Sequence, residues 1–173
     1  SHHNSDVWGW SLPVGDGHGA ASWAIWMMGG VWLTHNLWDA YEFGGDTELL
    51  RARIWPLMRG AVEFCLDWLV PGADGHLHAS PSTAPENSYV AADGRPTPLG
   101  LTATSDLSLI GSLFERALVA IDALGLDDAL EAEVREALAV LAPLQVGSDG
   151  RLLEWSAEVE EHEPLHRHLS PVV

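Results

Sequence analysis

The stretch Ser80-Pro81-Ser82-Thr83-Ala84-Pro85-Glu86-Asn87 sets one carboxylate in a loop made of small residues and two prolines. Proline fixes its own φ and biases the residue before it toward extended backbone, so the approach to Glu86 is stiff. Stiffness of this kind suits a loop that holds a group in place. The group is the Glu86 carboxyl, with the Asn87 amide and the Tyr89 ring close by in sequence. A carboxyl partly buried against aromatic rings has its pKa raised and becomes a proton donor. The competing reading is an ordinary connection between helices that carries a solvated glutamate.

Nine tryptophans, at positions 8, 10, 23, 26, 32, 38, 55, 68 and 155, add a second chemical signal. An indole buries the C–H face of a pyranose well, which makes Trp the usual stacking platform for sugars. Trp32, Trp38, Trp55 and Trp68 fall in apolar-periodic runs and are expected to pack between helices. Trp8, Trp10, Trp23 and Trp26 lie beside polar clusters, where a ligand role competes with packing.

The elements that must position these residues are helical. Apolar spacing predicts a first helix over about 19–43, with Trp23, Trp26, Met27, Gly30 and Leu33 or Thr34 on one stripe. Gly44-Gly45 ends it, and Asp46 with Glu48 marks the start of the next. That second helix spans about 47–69, with Leu50, Ile54, Leu57, Met58, Ala61, Phe64, Cys65 and Trp68 inward. Pro71-Gly72 breaks it. From 72 to 102 no period is visible, only a long loop rich in Pro, Gly, Ser and Asp, with short strands around 76–79. Loops of that length in a compact domain are usually functional. A third helix starts at Thr104-Ser105-Asp106, an N-cap cluster, carries Leu109, Ile110, Leu113, Phe114, Ala117 and Ile121 inward, and closes at Gly125. A fourth covers about 127–141, with Leu130, Val134, Leu138 and Leu141 inward, before Pro143. An Asp149-Gly150 turn then leads to the Glu154–His168 region.

Long helices in hairpins, joined alternately by short turns and long decorated loops, define an all-α fold, part of an (α/α)6 toroid with the long loops at the active-site mouth. A complete toroid needs about twelve helices, and four fill about a third of it. The chain is therefore expected to be one piece, residues 1–173, of a larger (α/α)6 catalytic domain whose remaining helices are its partner.

Composition narrows the ligand. With 25 acidic residues against 8 arginines and no lysine, the formal charge is −17. Such a surface repels phosphate backbones and anionic membranes and suits a neutral ligand. The single Cys65 excludes an intramolecular disulfide and reads as a buried thiol. No signal peptide and no apolar run long enough to span a bilayer is present, and localisation is left open. Around His162, Glu163, His166 and His168 the spacing matches no closed zinc pattern, so no metal or other cofactor is expected.

Five segments in register give the chain a family likeness: His2-His3-Asn4-Ser5-Asp6-Val7-Trp8, Trp23-Ala24-Ile25-Trp26-Met27-Met28-Gly29-Gly30, the Ser80–Asn87 loop, Glu154-Trp155, and His166-Arg167-His168-Leu169-Ser170. In this order they resemble glycoside hydrolase family 95, the inverting α-L-fucosidases acting on Fuc-α1,2-Gal. The resemblance runs over essentially all 173 residues. It implies that Glu86 is the general acid and that a fucosylated oligosaccharide is the substrate. It implies a water activated by asparagine side chains with an aspartate behind them, and those motifs have no match in this segment. The catalytic base is therefore unassigned, and the segment alone is expected to be inert. Asp6 falls in the family's pocket-lining Asn-(Ser/Thr)-Asp-x-Trp segment and can accept from sugar hydroxyls. Arg167 and His168 can donate to them, and Trp23 or Trp26 can stack on the ring. One departure is Pro171 after Ser170, where the family often has histidine, which affects the geometry of that edge. An α-L-galactosidase of the same architecture, and a sugar-binding or scaffold descendant without chemistry, are the alternatives. Retention of an acid in a proline-stiffened loop favours the enzyme.

Overall fold

A computed structural model describes residues 26–84 and 87–164. The chain divides into two compact units: one of Ser1–Gly29, Ala79–Asp106 and Pro143–Val173, the other of Gly30–His78 and Leu107–Ala142.

The second unit is helical. Helix α1 spans Gly29–Gly44 and starts later than its apolar spacing predicts. Trp26, Met27 and Met28 are not helical, and the Gly29 N–H reaches the Trp26 carbonyl at 3.5 Å. Two adjacent glycines cost a helix interior roughly 1 kcal/mol each, so the helix starts at the pair instead of running through it. The expected stripe is also displaced. Val31, Thr34 and Trp38 are buried, whereas Met27 and Leu33 are exposed. Trp32, expected between helices, is 52% exposed because it lies one residue round from that stripe.

Asp46 caps the next helix, its Oδ1 accepting from the Leu49 N–H at 2.9 Å. The run is continuous but mixed: α2 at Thr47–Leu49, a π segment at Leu50–Ile54, then α3 at Trp55–Trp68. The cause is Pro56. It has no N–H to give the Ala52 carbonyl, and the Trp55 N–H instead bonds five residues back to Leu50. Leu50, Ile54, Trp55, Met58, Val62 and Cys65 form the buried face. Leu57 and Phe64, expected inside, are 58% and 40% exposed. Phe64 stacks on half-buried Trp68 with ring centres 5.8 Å apart.

Helix α4, Thr104–Leu124, buries Leu107, Ile110, Leu113, Phe114, Ala117 and Ile121 and ends at Gly125, whose φ of +61° few other residues tolerate. Helix α5, Leu130–Val140, starts where Asp128 Oδ1 accepts from the Leu130 N–H at 3.1 Å. It buries Leu130, Val134 and Ala137 and packs on α3, where Asp128 also pairs with Arg59. Helices α1 and α4 are tied by His35, whose Nε2 lies 3.3 Å from the Leu109 carbonyl and whose Nδ1 lies 2.5 Å from Arg116. Arginine can only donate, so Nδ1 accepts, Nε2 carries the proton and His35 is neutral. Burial first, and Arg116 second, hold its pKa below the usual histidine value. Leu69–Pro71 (β1) pairs with Leu77–Ala79 (β2), the strand expected near 76–79.

The other unit is built from loops and short ladders. Ser82–Thr83 (β3) runs antiparallel to Leu99–Gly100 (β6), with Ser82 opposite Gly100. Tyr89–Val90 (β4) runs antiparallel to Pro96–Thr97 (β5), with Tyr89 opposite Thr97. The long loop therefore has more regular structure than its composition predicts. The expected turn at Asp149-Gly150 is present, with the Gly147 N–H on the Arg151 carbonyl at 2.8 Å and Gly150 at φ +82°. Among the described residues no helix is long and apolar enough to cross a membrane.

Candidate active site

The loop that carries Glu86 is built on the start of α4. Ser82, only 1% exposed, is the joint. Its hydroxyl donates to Asp106 Oδ2 at 2.6 Å and accepts from the Ala103 N–H at 2.7 Å. One side chain thus satisfies a backbone donor at the helix start and a carboxylate in the helix's first turn. On the approach side, the Ala79 carbonyl accepts from Thr102 N–H at 2.8 Å and from Thr102 Oγ1 at 3.3 Å. Thr102 holds φ at +50°, a left-handed conformation that a β-branched residue keeps only when its surroundings over-determine it. The Ser80-Pro81 bond is cis. Thr104 ties the helix start to the tail segment, its N–H on the Glu154 carbonyl at 3.0 Å and its hydroxyl on the Leu153 carbonyl at 2.5 Å.

Beyond Ser82 the chain is anchored in a small apolar cluster. Ala84, Ala103 and Trp155 are buried together, with Tyr89 and Val159 packed against them. Tyr89 meets Trp155 edge to face at 5.1 Å and donates its hydroxyl to the Leu99 carbonyl at 3.1 Å. Gly100 admits the indole: a Cβ there would lie 3.0 Å from the Trp155 ring. On the far side of the Glu86 position, Asn87 is buried, its N–H bonds the Ala84 carbonyl at 3.3 Å, and its Oδ1 accepts from the Ser88 N–H at 2.8 Å. The two described ends of the Pro85-Glu86 segment are therefore fixed to each other.

Asp106 is the electrostatic anomaly of the unit. It is 1% exposed, and burial pushes its carboxyl up to about 6, against the opposing pull of the Ser82 hydroxyl and the Trp26 indole. It closes a cleft of about 30 Å³ lined also by Met27, Pro81, Thr83 and Leu99. That space fits a water molecule and no sugar ring. The larger cleft of the helical unit, 350 Å³, is lined by Arg59, Glu63, Asp67, Asp128 and Glu133 among others, and its arginine is engaged by Glu63 and Asp128.

Of the residues singled out from sequence, Glu86, Asp6, Trp23, Arg167 and His168 lie outside the described residues. Trp26 is described: it is half-buried, with its indole acting on Asp106. Sequence reasoning misses Ser82 and Asp106 as parts of the site and gives Trp155 no role in it. Asp106 reads as a helix cap in the sequence, and no local signal marks a carboxylate there as buried. Among the described residues no three His, Cys, Asp or Glu side chains are grouped to hold a metal ion.

The loop is thus latched to a helix start beside the Trp155 and Tyr89 rings. The chain belongs to a class of glycosidases: it is a member of glycosyl hydrolase family 95, whose catalytic domain matches residues 1–173. It is 37% identical to Alpha-L-fucosidase 2 of Arabidopsis thaliana over 171 residues, 98% of this chain and 20% of that protein. It is 30% identical to Probable alpha-fucosidase A of Aspergillus niger over 155 residues, 87% of this chain and 19% of that protein. The chain thus spans about a fifth of the length of the curated relatives it matches.

Proposed function

We propose that these residues form the acid-bearing part of an α-L-fucosidase that hydrolyses Fuc-α1,2-Gal linkages with inversion, within a larger (α/α)6 catalytic domain. Family membership along the whole chain carries this reading, with Glu86 standing in the loop that the family resemblance marks as that of the acid. The relatives named as fucosidases support fucose as the sugar.

In this mechanism the Glu86 carboxyl gives its proton to the glycosidic oxygen as the bond from that oxygen to fucose C1 breaks. Galactose leaves with a free 2-hydroxyl. A water attacks C1 from the opposite face and loses a proton to a base supplied by another part of the domain. Inverting enzymes hold acid and base about 6.5–9.5 Å apart to admit this water. Asp6, Arg167 and His168 hydrogen-bond the fucose hydroxyls, and Trp23 or Trp26 covers its C–H face. A neutral glycan suits the chain's charge of −17.

The test is proton NMR of the sugar first released from 2′-fucosyllactose by the enzyme carrying this segment in its complete catalytic domain. β-L-fucose as the initial product is the expected result. α-L-fucose would overturn inversion. No release, together with cleavage of an α-L-galactoside, would overturn the substrate.

A further inference from the structure

We infer that Asp106 is a positioning residue for the proton donor, acting through the Ser82 hydroxyl. This rests on Glu86 being the acid, and it assigns the residue that holds the acid's loop.

A helix start needs no buried carboxylate at this position. An exposed Asp in the first turn interacts with the free N–H groups and the dipole at no desolvation cost. Asp106 is instead 1% exposed, and its described side-chain partner at hydrogen-bond distance is a serine in the catalytic loop. Ser82 stands four residues before Glu86 in sequence. Its hydroxyl is used twice, as donor to the carboxylate and as acceptor from the Ala103 N–H. A carboxylate accepts only, so an ionised Asp106 fixes the direction of the Ser82 O–H and leaves its lone pairs for Ala103. The loop is then clamped at Ser82, at Ala84 in the Trp155 cluster, and at Asn87 by its bond to Ala84. Small displacements of a reacting group, on the order of 1 Å, cost about a hundredfold in rate. Without the Ser82 clamp the loop keeps only its anchors at Ala84 and Asn87, and the proposal is that these two do not hold the acid closely enough for proton transfer.

The test compares two substrates in the intact enzyme. Fuc-α1,2-Gal has a poor leaving group and needs the proton, whereas α-L-fucosyl fluoride needs it little. Their ratio of kcat/KM is insensitive to the fraction of enzyme folded, which separates positioning from mere stability. Asp106→Ala and Ser82→Ala are expected to lower the ratio at least tenfold, with the double variant no worse than either single. Asp106→Asn, which keeps an acceptor for Ser82, should restore most of it. Glu86→Gln should lower the ratio further than any of these. A normal ratio in Asp106→Ala and Ser82→Ala, beside a collapsed ratio in Glu86→Gln, overturns the positioning role and leaves the acid in place. An unchanged ratio in Glu86→Gln overturns both.

Discussion

Replacing Asp106 by Asn tests the energetics of the buried carboxyl directly. Burial raises its pKa from the ordinary 3.8 to about 6. The folded protein therefore holds this proton more tightly than the unfolded chain. The resulting stability is fully present below pH about 4, where both states are protonated, and declines as pH rises to about 6. Above that the carboxylate is ionised in both states, and the folded form bears the desolvation. A shift of this size corresponds to about 3 kcal/mol, since one pKa unit is about 1.4 kcal/mol. Asparagine at 106 is neutral throughout and keeps an acceptor for Ser82. Urea unfolding of the catalytic domain, wild type beside Asp106→Asn, is measured at pH 4, 5, 6 and 7. Other titrating groups cancel in the difference between the two proteins. The Asn variant should gain relative stability steadily from pH 4 to 6, by up to about 3 kcal/mol, and then level off. Parallel curves, or a relative loss on raising the pH, would refute the assignment of Asp106 as a desolvated carboxylate.

Three further outcomes follow from packing and caps. Asp128→Ala removes the acceptor for the Leu130 N–H and the partner of Arg59, and should cost about 1–2 kcal/mol in urea unfolding. Phe114→Ala empties a fully buried site in α4 and should cost about 3–5 kcal/mol by the same measurement. Gly100→Ala drives a Cβ to 3.0 Å from the Trp155 ring, and should cost about 1–3 kcal/mol while depressing turnover of Fuc-α1,2-Gal.

The helices were legible because their apolar spacing is strong. The Leu50, Ile54, Met58 and Cys65 face, the Leu109–Ile121 run and the closing Gly125 all stand out in the sequence. What escaped was register. The glycine pair at 29–30 reads as an interior weakness, yet the helix begins there, which moves the buried stripe to Val31, Thr34 and Trp38. The π segment before Pro56 has no periodic signature, because it changes one turn in a run whose apolar residues look continuous. The Ser80–Asn87 loop stands out in the sequence through its prolines and small residues. Its latch was not, since Ser82 and Asp106 are 24 positions apart and each has a commonplace local role. Only the fold shows that the helix cap and the loop serine share one hydrogen bond.

Fucose release from Fuc-α1,2-Gal by the complete enzyme, wild type beside Glu86→Gln, tests whether Glu86 is the proton donor. Removing a general acid typically costs about 10²–10⁴-fold in rate. Glu86→Gln is expected to lose that much in kcat, with substrate binding kept and most activity on fucosyl fluoride retained. Wild-type turnover of Fuc-α1,2-Gal by Glu86→Gln would rule Glu86 out as the acid.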